Sequence, residues 1–117
     1  MKAYTDLEQS KKLAEILPIK SADCYWDYDE MQKFHRISWF EDGFNKHSQL
    51  LFNENNVCAW SLAALLDILP QGTRILKSST NDTYHCDCPK ENIDKWFDNP
   101  IDACYEMILK LNEEKLL

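Results

Sequence analysis

The sequence predicts a small α+β domain, in which about three helices pack on a small antiparallel sheet. Apolar residues recur at helical spacing in three segments, and a stretch between the first two alternates with a period of two. Two further short apolar runs flank a polar turn before the third helix. The chain has 117 residues, 44% of them hydrophobic and only two of them glycine, which is enough for one core. We therefore expect a single compact domain over residues 1–117.

The first helix is predicted from about Asp6 to Ile16. Thr5 and Glu8 have the spacing of a capping box, which satisfies backbone N–H groups at the start of a helix. Pro18 follows the last apolar position and cannot continue the helix.

Two strands are predicted after this helix. In "SADCYWDYDE", one face is predicted to hold Cys24, Trp26 and Tyr28, and the other Asp23, Asp27 and Asp29 along with Tyr25, which is typical of a half-buried strand. The segment "FHRISWFEDGF" is rich in aromatic and β-branched residues and ends at a turn-like Asp-Gly pair. The polar residues 45–56 are predicted to form a loop.

The segment "CAWSLAALLDILP" predicts a central helix. Its leucines stand at positions i, i+3, i+4 and i+7, and a proline follows the last of them. Trp60, Ala63, Ala64 and Ile68 extend the apolar surface, so that little polar face remains. Such a helix is expected to be covered on most sides.

The last third of the chain predicts a hairpin and a helix. "TRILKSS" and "TYHCDC" flank the polar residues 80–82, as two strands flank a turn. Asn99 then has the position of an N-cap and Pro100 that of the first helical residue. The expected core residues of this helix are Ile101, Cys104, Met107, Ile108 and Leu111.

Charge and cysteine usage limit the classes of function. The net charge of −7 disfavours direct binding to nucleic acid, which depends on Lys and Arg. The first twelve residues lack the apolar core of a secretory signal, and the longest apolar run, 57–66, is about half the length of a membrane-spanning helix. Five cysteines, an odd number, fit reduced thiols better than a disulfide framework. We expect a cytoplasmic protein that does not bind a membrane.

Three segments carry a resemblance: "YTDLEQSKKLAEILPIKSADCYW", "AWSLAALLDILP" and "NPIDACYEMILKLNEEKLL". Together they resemble a family of small proteins of Bacteroides-type gut bacteria and their phages or mobile elements. The shared motifs are capped helices and apolar stripes, and the family has no established activity. The resemblance therefore implies a context, a cytoplasmic protein encoded on a mobile element, and no catalytic residues.

The strongest signal for chemistry is "YHCDC", because His85, Cys86 and Cys88 are all competent zinc ligands. On a strand, however, the two cysteines share one face with Tyr84, and the histidine lies on the other. A metal site or a thiol enzyme centred on these residues is thus an alternative to the simpler reading, in which the cysteines face the core. We expect no cofactor and no catalytic residue.

The preferred function is the binding of another protein. Acidic and large aromatic residues are concentrated between Asp23 and Phe44, and tryptophan and tyrosine are enriched in interface hot spots. In one variant of this hypothesis the acidic face imitates nucleic acid; a third hypothesis is a structural homo-oligomer formed through a helix. The residues predicted to bind the partner are Asp23, Trp26, Asp27, Asp29, Trp39, Phe40 and Phe44.

Overall fold

The structure is a computed structural model that describes residues 2–40 and 55–117. Within these residues it contains three α-helices and two small antiparallel sheets, which confirms the α+β class. The strands are divided between two sheets, where the sequence predicted one. The chain forms two compact units, Thr5–Ser61 and Met1–Tyr4 with Leu62–Leu117.

The unit Thr5–Ser61 contains one helix and a three-stranded sheet. Helix α1 is followed by a short 3-10 turn and by strands β1, β2 and β3, which lie in the order β2-β1-β3. Both pairings are antiparallel, and the register of β1 with β2 runs without interruption from Cys24↔Trp39 to Asp29↔Phe34. The elements span α1 Leu7–Ala14, the turn Ile19–Ser21, β1 Cys24–Asp29, β2 Phe34–Trp39 and β3 Val57–Ala59.

The capping box of α1 begins one residue later than the sequence predicted. Asp6 is the N-cap; its side chain accepts a hydrogen bond from the Gln9 N–H (2.8 Å), and the Gln9 side chain accepts one from the Asp6 N–H (3.1 Å). Thr5 cannot cap the helix because its fully buried hydroxyl accepts from the Trp60 N–H and is paired with the Ser10 hydroxyl. The helix is also shorter than predicted, since it ends at Ala14.

Strand β3 was not predicted, because its residues precede the helical pattern of the central helix without a break. The sequence placed Trp60 on the apolar surface of the central helix, but the residues just before it form a strand that pairs with β1. Trp60 is fully buried directly after this strand, and its indole N–H donates to the Ser21 hydroxyl at 3.0 Å. The chain thus changes from strand to helix within one apolar run, which only Ser61 interrupts at the boundary.

The second unit contains helix α2 (Leu62–Ile68), strands β4 (Arg74–Lys77) and β5 (Tyr84–Asp87), and helix α3 (Pro100–Glu113). The predicted hairpin is confirmed: β4 and β5 are antiparallel. The predicted start of α3 is also confirmed, because the Asn99 side chain accepts from the Asp102 N–H at 2.9 Å. Helix α3 packs against β5 and α2, and its predicted core residues are all fully buried.

The helices found in residues 2–40 and 55–117 are too short to cross a lipid bilayer as an apolar span.

Candidate functional site

The hairpin formed by β1 and β2 contains most of the residues predicted to bind a partner. Opposed residues of antiparallel strands point to the same face, so the register divides these side chains into two groups. The tryptophan face consists of Cys24, Trp26, Tyr28, His35, Ile37 and Trp39. The acidic face consists of Asp23, Tyr25, Asp27, Asp29, Phe34, Arg36, Ser38 and Phe40.

On the tryptophan face, the two tryptophans have different environments. Trp26 is half-buried, and its indole N–H donates to the backbone carbonyl of Thr5 at 3.1 Å, so it helps to hold the unit together. Trp39 lies opposite the fully buried Cys24, yet 54% of its surface is exposed. Trp39 is therefore the tryptophan of this hairpin that is available to a partner.

On the acidic face, a cation lies between two of the carboxylates. The Arg36 guanidinium is 3.8 Å from the Asp27 carboxylate and 3.9 Å from that of Asp29. Such partly exposed ion pairs add little stability, but they reduce the local negative charge. The row of aspartates is consequently less suited to imitate nucleic acid than the sequence alone indicated.

Two of the predicted acidic residues also bind this chain's own backbone. Asp23 accepts hydrogen bonds from the N–H (2.9 Å) and from the hydroxyl of Ser61. Asp29 accepts from the N–H groups of Met31 (3.0 Å) and Gln32 (3.1 Å), and so stabilises the turn between β1 and β2. Both carboxylates have a structural role, which is local for Asp29 and depends on a distant residue for Asp23.

The phenylalanines of the acidic face also differ. Phe40 is half-buried and packs against Tyr25, with 4.8 Å between the ring centroids. Phe34, which was not among the predicted residues, is 42% exposed at the other end of β2. Phe44 lies outside the described residues. An exposed aromatic side chain thus stands at each end of the outer strand β2.

The tip of the hairpin adds a further exposed apolar side chain. Met31 is 94% exposed, next to the exposed Glu30. Methionine side chains are flexible and adapt to irregular partner surfaces. Met31 was not predicted as a binding residue, because a turn residue belongs to no periodic pattern.

The alternative site on β5 is divided between the two faces of its own hairpin. Tyr84, Cys86 and Cys88 are buried, whereas His85 is half-exposed and its ring lies 5.3 Å from that of Trp96. No group of three or more His, Cys, Asp or Glu side chains that could hold a metal ion occurs in the described part of the chain. His85, Cys86 and Cys88 are therefore not brought together by this geometry.

The buried thiols are poorly placed for nucleophilic chemistry. Burial, together with the neighbouring charge of Asp23, raises the pKa of Cys24 far above its ordinary value. A hydrogen bond between Cys86 and Cys104 raises the pKa of Cys104 and lowers that of Cys86, but Cys86 is only 3% exposed. A catalytic thiol needs both a thiolate and access to substrate, and none of these three thiols has both.

The second unit has a shallow groove beside α3. Its volume is about 470 Å³, and its lining mixes apolar, amide and charged side chains of both signs. The lining residues are Asn92, Ile93, Glu106, Leu109, Lys110 and Glu113. Neither a histidine nor a cysteine is among them, so the groove offers no thiol, no imidazole and no soft metal ligand.

Comparisons with known proteins add no further evidence. No family model matches the chain, and neither the curated proteins nor the solved structures contain a match.

Proposed function

We propose that this chain is a non-catalytic domain that binds another protein through the β1–β2 hairpin. The observation that carries the proposal is the exposure of Trp39 and Phe34 at the two ends of strand β2. Full burial of a large aromatic side chain contributes about 1.5–3 kcal/mol, and a partner can recover the part that the exposed surface of Trp39 and Phe34 forgoes. Trp and Tyr are also the residues most enriched among interface hot spots.

Apolar anchors are better supported than acidic ones as the source of affinity. Asp23 and Asp29 already hold backbone groups, and Arg36 lies between Asp27 and Asp29. The carboxylates around the hairpin form a polar rim, which affects encounter rates and specificity more than affinity. Trp39 and Phe34 lie on opposite faces of the hairpin, so the proposed partner contacts the outer edge of β2, with an apolar pocket on each face. Its surface tolerates or favours negative charge.

We also propose that the domain works in the cytoplasm. All five cysteines are reduced and buried, in a core built without disulfides. This use of cysteine suits a reducing compartment, where a free thiol behaves as a small apolar side chain.

The test is affinity capture from a lysate of the cells that make the protein, with wild type and two variants as bait. Trp39→Ala removes the proposed anchor. Trp96→Ala is the matched control, because Trp96 is a similarly exposed tryptophan (45%) outside the hairpin. We expect a protein that is retained by wild type and by Trp96→Ala, and at least about tenfold less by Trp39→Ala, as for a hot-spot residue. Equal retention by both variants would contradict the proposal.

A further inference from the structure

The two edges of the three-stranded sheet are built differently. Strand β3 has three residues, two of them buried, and packs against α1. Strand β2 has six residues and exposed positions at both ends. Within residues 2–40 and 55–117, β2 is paired with β1 alone. Of the two edges that the described residues show, that of β2 is thus the longer and the more exposed.

Within residues 2–40 and 55–117, this edge has little of the usual protection against further strand pairing. Natural edge strands are kept from pairing by short length, by proline or charged side chains, above all lysine, by bulges, or by a segment that covers them. The sequence of β2, "FHRISW", contains neither proline nor lysine, and its register with β1 has no bulge. An edge of this kind is a template for an added strand.

We propose that a second copy of this chain supplies that strand, so that β2 pairs with β2 across a twofold axis and the sheet becomes continuous over both copies. The inference rests on the proposed function, because it assigns a partner to the same hairpin. A twofold axis between antiparallel strands is perpendicular to the sheet, and therefore keeps each face of one copy continuous with the same face of the other. Such an axis must pass beside one residue of β2, which then faces itself.

The side chains of β2 and of Phe40, which follows it, favour one such register, with Ile37 on the axis. Arg36 then faces Ser38, His35 faces Trp39, and Phe34 faces Phe40, each pair occurring twice. Aromatic and β-branched pairs of this kind stabilise antiparallel strands, and no like charges are opposed. With Arg36 on the axis, two guanidinium groups would face each other. The register centred on Ile37 also covers the aromatic side chains exposed at both ends of β2.

Charge also favours this strand as the contact between two acidic copies. Each chain carries a net charge of −7, so a contact through carboxylates would be repulsive. Strand β2 contains one arginine and no carboxylate. It thus permits close approach without opposing acidic side chains.

Two substitutions at Ser38 test the pairing, because they should change the dissociation constant of the dimer in opposite directions. Ser38→Glu places a carboxylate opposite Arg36 of the second copy twice, and Ser38→Arg places a guanidinium there twice. In sedimentation equilibrium over a range of concentrations, we expect a dimer whose dissociation constant falls about tenfold for Ser38→Glu and rises about tenfold for Ser38→Arg. Circular dichroism and thermal melts of both variants would show that the fold is retained.

Cross-linking tests the register directly. Ile37→Cys should form a disulfide-linked dimer under mild oxidation, because residue 37 faces itself across the axis. Arg36→Cys and Ser38→Cys should cross-link poorly alone and efficiently when mixed. All five natural cysteines are buried, so the wild-type chain should not cross-link and serves as the control.

A strictly monomeric wild-type chain at millimolar concentration would overturn the dimer, as would equal dissociation constants for the two Ser38 variants. Such a result leaves capture of a different protein through Trp39 intact, so failure of the dimer is distinguishable from failure of the proposed function. A dimer that persists while no protein is captured through Trp39 would support the pairing of β2 with β2 and contradict the binding of a different protein.

Discussion

Thr5 and Trp60 are joined by two hydrogen bonds in the core of their unit. The Thr5 N–H donates to the Trp60 carbonyl (2.9 Å), and the Trp60 N–H donates to the Thr5 hydroxyl (3.1 Å). Both residues are fully buried. The pair fixes the residue before the N-cap of α1 to the residue after β3, and so joins the helix to the sheet that carries the hairpin.

Replacing Thr5 with valine should therefore be costly. The change keeps the size of the side chain but leaves the buried Trp60 N–H without its acceptor, and it removes the hydroxyl that pairs with Ser10 at 2.7 Å. We expect a loss of about 2 kcal/mol in the free energy of unfolding, measured by urea denaturation. Thr5→Ser keeps the hydroxyl and should lose about 1 kcal/mol, for a methyl group. A Thr5→Val protein as stable as wild type would contradict the role given to this pair.

Lys33→Gly should stabilise the hairpin. Lys33 ends the turn between β1 and β2 with φ of 60°, a left-handed conformation that strains residues with a Cβ atom. Glycine adopts it freely, at the expense of a more flexible unfolded chain. We expect a net gain of about 0.5–1 kcal/mol in urea denaturation. Lys33→Ala, which removes the charge but keeps the Cβ, should show no such gain; an equal gain for both would assign the effect to charge.

Stability should fall in alkaline solution because of Cys24. Its pKa in the folded protein is raised far above the ordinary 9.0. Below pH 9 both states keep the proton, and the contribution of Cys24 is complete. Above pH 9 the unfolded chain releases the proton while the folded chain keeps it, so the free energy of unfolding falls by up to about 1.4 kcal/mol per pH unit.

The check is urea denaturation from pH 7 to pH 11 under reducing conditions, with Cys24→Ala as the comparison. The variant should lose stability less steeply above pH 9 than wild type. A residual slope is expected from Cys104, whose pKa is also raised. Identical slopes for the two proteins would contradict the assignment to Cys24.

The thiols should be almost unreactive in the folded protein. All five cysteines are buried, so a thiol reagent of the size of dithionitrobenzoate reaches them only after local or global opening. We expect five thiols to react at once in denaturant, and less than one per chain within minutes in native buffer. Rapid native labelling of Cys86, identified by peptide mapping, would instead revive the thiol-enzyme alternative.

The sequence predicted well those elements whose signals are local. The cap at Asn99 and the apolar stripe that follows it gave α3 correctly. Strict alternation around Trp26 gave β1, and a polar turn between two apolar runs gave the second hairpin. Each signal depends only on the spacing of neighbouring residues, which is the same in the sequence and in the fold.

The remaining features depend on contacts between distant parts of the chain. The sequence around Thr5 has the local pattern of a helix cap, but the Thr5 hydroxyl instead accepts a hydrogen bond from the distant Trp60 N–H. Asp23 resembled a surface carboxylate and binds Ser61 instead. The exposure of Phe34 and Met31 likewise follows from the edge and the turn of a hairpin, and no periodic pattern could distinguish these residues from core residues.

Binding through the β1–β2 hairpin is tested most directly by hydrogen–deuterium exchange of the purified chain, free and bound to the partner captured through Trp39. We expect that protection on binding increases in peptides that cover β2, residues 34–39, and stays constant in peptides that cover β4, residues 74–77. The same comparison at low and high concentration of the chain alone would report the dimer. Protection confined to the second unit, with β2 unchanged, would contradict the assignment of the β1–β2 hairpin as the binding surface.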